Sequence, residues 1–228
     1  MDFPGLAARV ADIRDRIARH QQAGGWSHDV TIIAVTKTHG PDAVRAAALA
    51  GLHAVGENRV QEALAKMPEL ADVPVEWHLI GSLQRNKVKQ VVARFALVHS
   101  IDRLELAEEF ARRVPSGNKQ RVLVEVNCSG EAQKGGALPE ALPGLLDAIA
   151  RLPELSVEGL MTMAPFTDDE TVQRATFRRL RVLRDEAGQR GHRLPHLSMG
   201  MSGDFPAAVE EGATMVRLGT ILFGERVQ

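Results

Sequence analysis

One lysine directly behind a short β-branched run, Lys37 after TIIAVT, is the residue of this chain best placed to act as a nucleophile. An ammonium at the end of a buried strand is costly to keep charged and loses its proton easily there; the neutral amine attacks aldehydes. Strand-end lysines also snorkel to solvent, so Lys37 gains meaning only from its company. Two later segments, SMGMSGDF at 198–205 and RLGT at 217–220, set Gly200, Gly203 and Gly219 beside the hydroxyls of Ser198, Ser202 and Thr220. Small residues let backbone N–H groups approach phosphate oxygens, and a helix starting after Ser202 would turn its positive end to the same anion. SGD is equally an ordinary helix cap, and glycines are ordinary turn residues.

The elements that would position these residues alternate along the chain. An amphipathic helix is predicted over the first twenty residues, ended by Gly24 and Gly25. Strands are expected at 31–35, 53–55, 75–80, 96–99, 121–126, 157–161, 196–199 and 214–218. Helices are expected between them at 41–50, 58–66, 84–94, 103–114, 139–151, 169–190 and 205–211. Strands separated by helices pair in parallel through right-handed crossovers, and eight of them predict a single (β/α)8 TIM barrel spanning residues 1–228. Ten residues after Leu218 are too few for a long eighth helix, so the N-terminal helix is expected to cover that gap. An open doubly wound sheet is the alternative, though no GxGxxG lies between the first strand and helix.

Chemistry in such a barrel sits just after each strand. The positions there are polar: Lys37, Glu57 and Asn58, His78 and Ser82, Ser100 and Asp102, Asn127, then Met161 and Met163, Ser198 and Ser202, and Arg217, Gly219 and Thr220. An amine and a phosphate cradle at one barrel mouth are what pyridoxal 5'-phosphate (PLP) requires. Arg217 would decide the electronics. Facing the pyridine nitrogen, its permanent charge disfavours ring protonation and makes a poor electron sink. In a surface ion pair it would have no such role.

The segments AVTKT, GENRVQE, WHLIGSLQRNK, VHSID, GLMTMAP, LSMGMSGDF and VRLGTILFG resemble the pyridoxal phosphate homeostasis proteins, relatives of the alanine racemase barrel. The resemblance spans nearly the whole chain after residue 30. It implies a PLP barrel of fold-type III and a Schiff base on Lys37. It further implies phosphate contacts from Ser198, Met199 and Ser202 and from Gly219 and Thr220, with Arg217 at the ring nitrogen and Asn58 and His78 lining the pocket. It implies buffering and delivery of PLP, with PLP-dependent apo-enzymes as recipients. Two departures stand beside the pocket: Arg59 where an aromatic residue is common, and His39-Gly40 in place of Lys-Pro.

The competing reading is a weak PLP-dependent amino-acid racemase. Such an enzyme needs a second base on the opposite face, a tyrosine in the related racemases. The 228 residues contain no tyrosine, and the chain ends soon after ILFG, leaving no length for a racemase-like second domain. A carrier without strong turnover, and a monomer, is therefore expected. A phosphosugar enzyme with Lys37 as its Schiff-base lysine fits the phosphate loops but not the family segments. Composition narrows the rest. With 28 Lys+Arg against 29 Asp+Glu and 4% aromatic residues, nothing points to nucleic acid. No apolar run approaches a membrane span, and no signal-peptide core opens the chain. The one cysteine, Cys128, reads as a small strand-end residue and, with no disulfide framework, fits a reducing, cytoplasmic setting.

Overall fold

The structure is a computed structural model that describes residues 3–131 and 133–224. Short, largely buried segments form β1 (Thr31–Val35), β2 (Ala54–Glu57), β3 (Glu76–Leu79), β4 (Leu97–Ile101), β5 (Gln120–Glu125), β6 (Leu155–Met161), β7 (His196–Ser198) and β8 (Met215–Leu218). All pair in parallel in chain order, and β8 returns to β1 through Thr31↔Met215 to Ala34↔Leu218, closing the barrel. The open-sheet alternative is thereby overturned: no strand of this barrel is left as an edge.

The helices are α1 (Leu6–Gly24), α2 (Pro41–Leu49), α3 (Val60–Lys66), α4 (Val88–Val91), α5 (Leu104–Arg113), α6 (Leu142–Ile149), α7 (Glu170–Gln189), α8 (Phe205–Glu210) and α9 (Thr220–Phe223). Their starts follow local chemistry. Pro41 opens α2, and the Asp169 carboxylate accepts the Thr171 N–H to cap α7. The helix expected over 84–94 is instead a 3-10 turn at Arg85–Lys87 and a single α turn. It ends by Ala93, which sits at φ 62°, a left-handed conformation that a helix cannot pass through.

α1 fills the place where an eighth barrel helix would lie, packed against α8, α9 and α2. Leu6, Val10, Ile13 and Ile17 face inward at helical spacing. Polar ties fix its angle: Arg9 Nε donates to the Leu222 carbonyl at 2.9 Å, and His20 Nδ1 lies 2.6 Å from Glu210 Oε1. Gly25, at φ 74°, ends the helix.

Residues alternate between two cores. Ile32, Ala34 and Val55 face the helices, whereas Ile33, Ala54, Leu97, Leu123, Met161 and Met215 pack together inside the barrel. Below and above this small apolar cluster the interior is polar, and that polarity builds the site.

Candidate functional site

At the C-terminal end of the strands a cleft of about 580 Å3 is lined by Lys37, Asn58, Ser202, Arg217, Gly219 and Thr220. These six expected residues come from the loops after β1, β2 and β7 and from β8 with the turn that follows it. Three others lie elsewhere. Ser198 and Met199 are fully buried behind the cleft, and His78 is enclosed in the barrel interior.

Lys37 sits half-buried in the turn after β1, and its amine engages no described residue. Both neighbours are constrained. Thr38 holds φ 68°, a strained conformation for a β-branched residue. The Thr36 carbonyl accepts from Lys66 Nζ at 2.8 Å, and its hydroxyl donates to Glu57 Oε1 at 2.6 Å. Lys66 and Glu57 themselves pair at 2.6 Å and are buried. A buried ion pair therefore anchors the backbone from which Lys37 projects. Lys66 carried no signal in the sequence, where it reads as an ordinary charge in the last turn of a helix.

The backbone donors expected to meet a phosphate converge on one hydroxyl. The N–H groups of Gly219 and Ile221 both point to Ser202 Oγ at 3.3 Å, so an oxygen already stands where two backbone donors meet. Gly200, at φ 93°, makes the turn before it, and a Cβ there would lie 2.6 Å from the Ala208 Cβ. Asp204 lines the same cleft and accepts the Met201 N–H; burial raises its carboxyl above the usual range.

Arg217 is buried and gives three of its five donors to the Ser198 carbonyl (2.8 Å), Ser198 Oγ (2.7 Å) and the Thr162 carbonyl (2.9 Å). It is thus an interior cation and forms no surface ion pair. Burial pulls its guanidinium down to about 10, with Asp204 and Glu125 opposing, so it stays charged at neutral pH.

Other residues of the mouth were not singled out by sequence. Lys134 lines the cleft, donates to the Ala164 carbonyl at 2.7 Å and pairs with Glu131 at 2.6 Å, tying two loops together. Phe166 stands fully exposed at the rim. Asn127 turns away and organises its own loop through Glu131, Lys134, Ser129 and Gly130. Of the two departures, His39 lines the cleft and packs on Phe3 and Phe223, whereas Arg59 points outward to Glu62 at 3.2 Å. Cys128 is buried in the core, where burial pushes its thiol up to about 11.

Gly81, in the IGSLQ segment, explains part of that motif. A Cβ there would lie 2.3 Å from the Asn58 carbonyl oxygen, while Ser100 Oγ–H holds the Gly81 carbonyl at 2.8 Å. Gly81→Ala is expected to cost about 2–3 kcal/mol by backbone overpacking, read from urea unfolding, and to push Asn58 from the cleft.

Glu125 carries the clearest pH signature. Burial first, and then the Asp102 charge, push its carboxyl up to about 7, with Arg217 opposing. The folded state therefore holds a proton that the unfolded chain has released, so the contribution of this one group is most favourable in acid and is lost between about pH 4.5 and 7, by about 3 kcal/mol in all. Glu125→Gln is expected to match the parent at pH 4.5 and exceed it by about 2–3 kcal/mol at pH 8 in urea unfolding.

Comparison with known proteins places this geometry. The model of the alanine racemase N-terminal domain matches residues 9–227. A curated relative from Aquifex aeolicus, named pyridoxal phosphate homeostasis protein, is 46% identical over 222 residues, spanning 96% of this chain and 97% of its own. This chain belongs to the pyridoxal phosphate homeostasis protein family. Among solved structures, PipY of Synechococcus elongatus with PLP bound superposes with a TM-score of 0.85 at 37% identity, covering 96% of this chain and all of PipY. Alanine racemase from Corynebacterium glutamicum shares the fold, with a TM-score of 0.74 at 18% identity; the match covers 99% of this chain and 62% of the racemase. No helix among the described residues is long and apolar enough to cross a membrane.

Proposed function

We propose that this family member binds PLP as a Schiff base on Lys37 and buffers or delivers it in the cytoplasm, as a one-domain monomer without strong turnover of its own. The observation that carries the reading is an unengaged amine sharing one cleft with a buried arginine and two converging backbone donors. The PLP-bound PipY, alike over 96% of this chain, supports it. The residues fit the cofactor: the Ser202 and Thr220 hydroxyls, and the Gly219 and Ile221 N–H groups once a phosphate oxygen takes the place of Ser202 Oγ, would hold its phosphate, Lys37 would supply the amine and Arg217 a cation at the ring.

When bound, PLP supplies an electrophilic aldehyde and a ring that delocalises negative charge. The protein's part is to hold it. Arg217 cannot accept a proton at neutral pH, so a ring nitrogen facing it stays unprotonated and carbanion chemistry gains little. The open cleft leaves Lys37 reachable by an incoming amine, which is what hand-over to PLP-dependent apo-enzymes requires. The absence of tyrosine from the sequence removes the second base of the related racemases.

The test is an absorbance spectrum with PLP, then borohydride reduction and peptide mass mapping. A reduced adduct on Lys37 is the expected result, and an adduct on another lysine, or none, sinks the assignment. Transfer to a PLP-free recipient enzyme faster than spontaneous release would support delivery. Chiral analysis of alanine after incubation with the loaded protein measures any racemisation.

A further inference from the structure

Behind Arg217 runs a line of buried side chains that the site itself does not use. Ser198 Oγ lies 2.7 Å from Arg217 Nη1 and 2.9 Å from His99 Nδ1. His99 Nε2 lies 3.0 Å from His78 Nδ1, and both rings are buried. The direction of these bonds follows from donor chemistry. Arginine only donates, so the Ser198 oxygen accepts from it and has its own hydrogen left, with His99 Nδ1 as the acceptor in reach. A neutral His99 that accepts at Nδ1 carries its hydrogen on Nε2 and donates to His78 Nδ1. His78 in turn carries its hydrogen on Nε2.

That last hydrogen faces Glu76 Oε2 at 3.8 Å, too far for a hydrogen bond, and has no other partner among the described residues. The opposite polarity is worse at both ends. It leaves the Ser198 hydrogen without an acceptor and turns a ring lone pair toward the Glu76 carboxylate. Neutrality of both rings is reinforced by their setting. Burial, aided by Arg121, takes His78 down to about 4, and burial, aided by His78 and Arg217, takes His99 well below its usual value.

We propose that Ser198, His99 and His78 are positioning residues, a one-way hydrogen-bond chain that locks Arg217 so that its remaining hydrogens serve an acceptor in the cleft. Three of the guanidinium's five hydrogens go to the Ser198 carbonyl, Ser198 Oγ and the Thr162 carbonyl. The Nε hydrogen and one Nη2 hydrogen are left. Under the PLP reading, on which this consequence rests, that acceptor is the ring nitrogen.

The chain is tested first without cofactor, by 15N-resolved NMR of the histidine rings and of the Arg217 Nε–H at neutral pH. Both rings are expected as Nε2–H tautomers; either ring found as Nδ1–H or charged overturns the polarity. In His99→Leu the Arg217 Nε–H signal is expected to shift and exchange faster, and His99→Gln, whose amide can accept from Ser198 and donate to His78, is expected to restore it. An Arg217 signal unmoved in His99→Leu overturns the positioning role; should that variant fail to fold, a signal in His99→Gln that departs from the parent's does so instead.

With PLP, His99→Leu is expected to bind about tenfold more weakly and His99→Gln within about threefold of the parent, the adduct remaining on Lys37. Equal affinity in all three proteins overturns the link to the cofactor. A parent protein that takes no PLP defeats the cofactor reading alone, because the cofactor-free NMR still decides the chain.

Discussion

Lys37→Ala is expected to abolish the borohydride-reducible attachment of PLP while leaving the unfolding midpoint within about 0.5 kcal/mol of the parent. The two halves of this expectation have different causes. Attachment needs a primary amine in the cleft, and the other lysine lining it, Lys134, is committed to the Ala164 carbonyl and to Glu131. Stability is spared because the Lys37 amine makes no hydrogen bond or ion pair with a described residue and its side chain is only half-buried. Residual noncovalent PLP, held by the Ser202 to Thr220 cradle, is expected in equilibrium dialysis at an affinity at least about 100-fold weaker. Retention of a reducible adduct in this variant would show that another amine holds the aldehyde.

Lys66→Ala is expected to do the reverse, costing about 3–5 kcal/mol in urea unfolding by leaving a buried carboxylate unpaired. Glu57 is fully buried, its Oε1 takes the Lys66 amine at 2.6 Å, and its Oε2 has no partner among the described residues. Removing the lysine strands that charge and takes one of its two donors from the Thr36 carbonyl, which keeps the His39 N–H. The double variant Glu57→Gln/Lys66→Met is expected to recover most of the loss, because a buried pair replaced together costs far less than one broken singly. PLP attachment is expected to remain slower in the double variant, since the Thr36 carbonyl before Lys37 has lost its ammonium donor and is held by the His39 N–H alone. A Lys66→Ala protein as stable as the parent would show that the pair contributes nothing.

These two lysines show how far sequence reaches. Lys37 announces itself by following TIIAVT, a local pattern that survives into the structure as a strand end at the barrel mouth. Lys66 ends an unremarkable helical stretch, and nothing local separates it from a solvated charge. The same holds for the histidines. His78 is expected at the pocket because it stands near the end of a strand, yet its side chain points into the barrel below the cleft, where alternation along β3 sends it. Its partner His99 lies 21 residues away, and Ser198 another 99. The helix expected over 84–94 failed for a different reason: apolar spacing there is helical, but the chain turns left-handed at Ala93.

The sequence by itself determined the alternation of strands and helices, the substitute role of the first helix, and the lysine and small-residue loops of the mouth. Each is written in neighbouring residues, as periodicity, propensity or turn chemistry. Only the tertiary structure decided which charges are paired, which imidazoles are neutral, and which backbone donors meet on one oxygen. Those properties depend on burial and on groups brought together from distant strands, and both exist only once the barrel has closed.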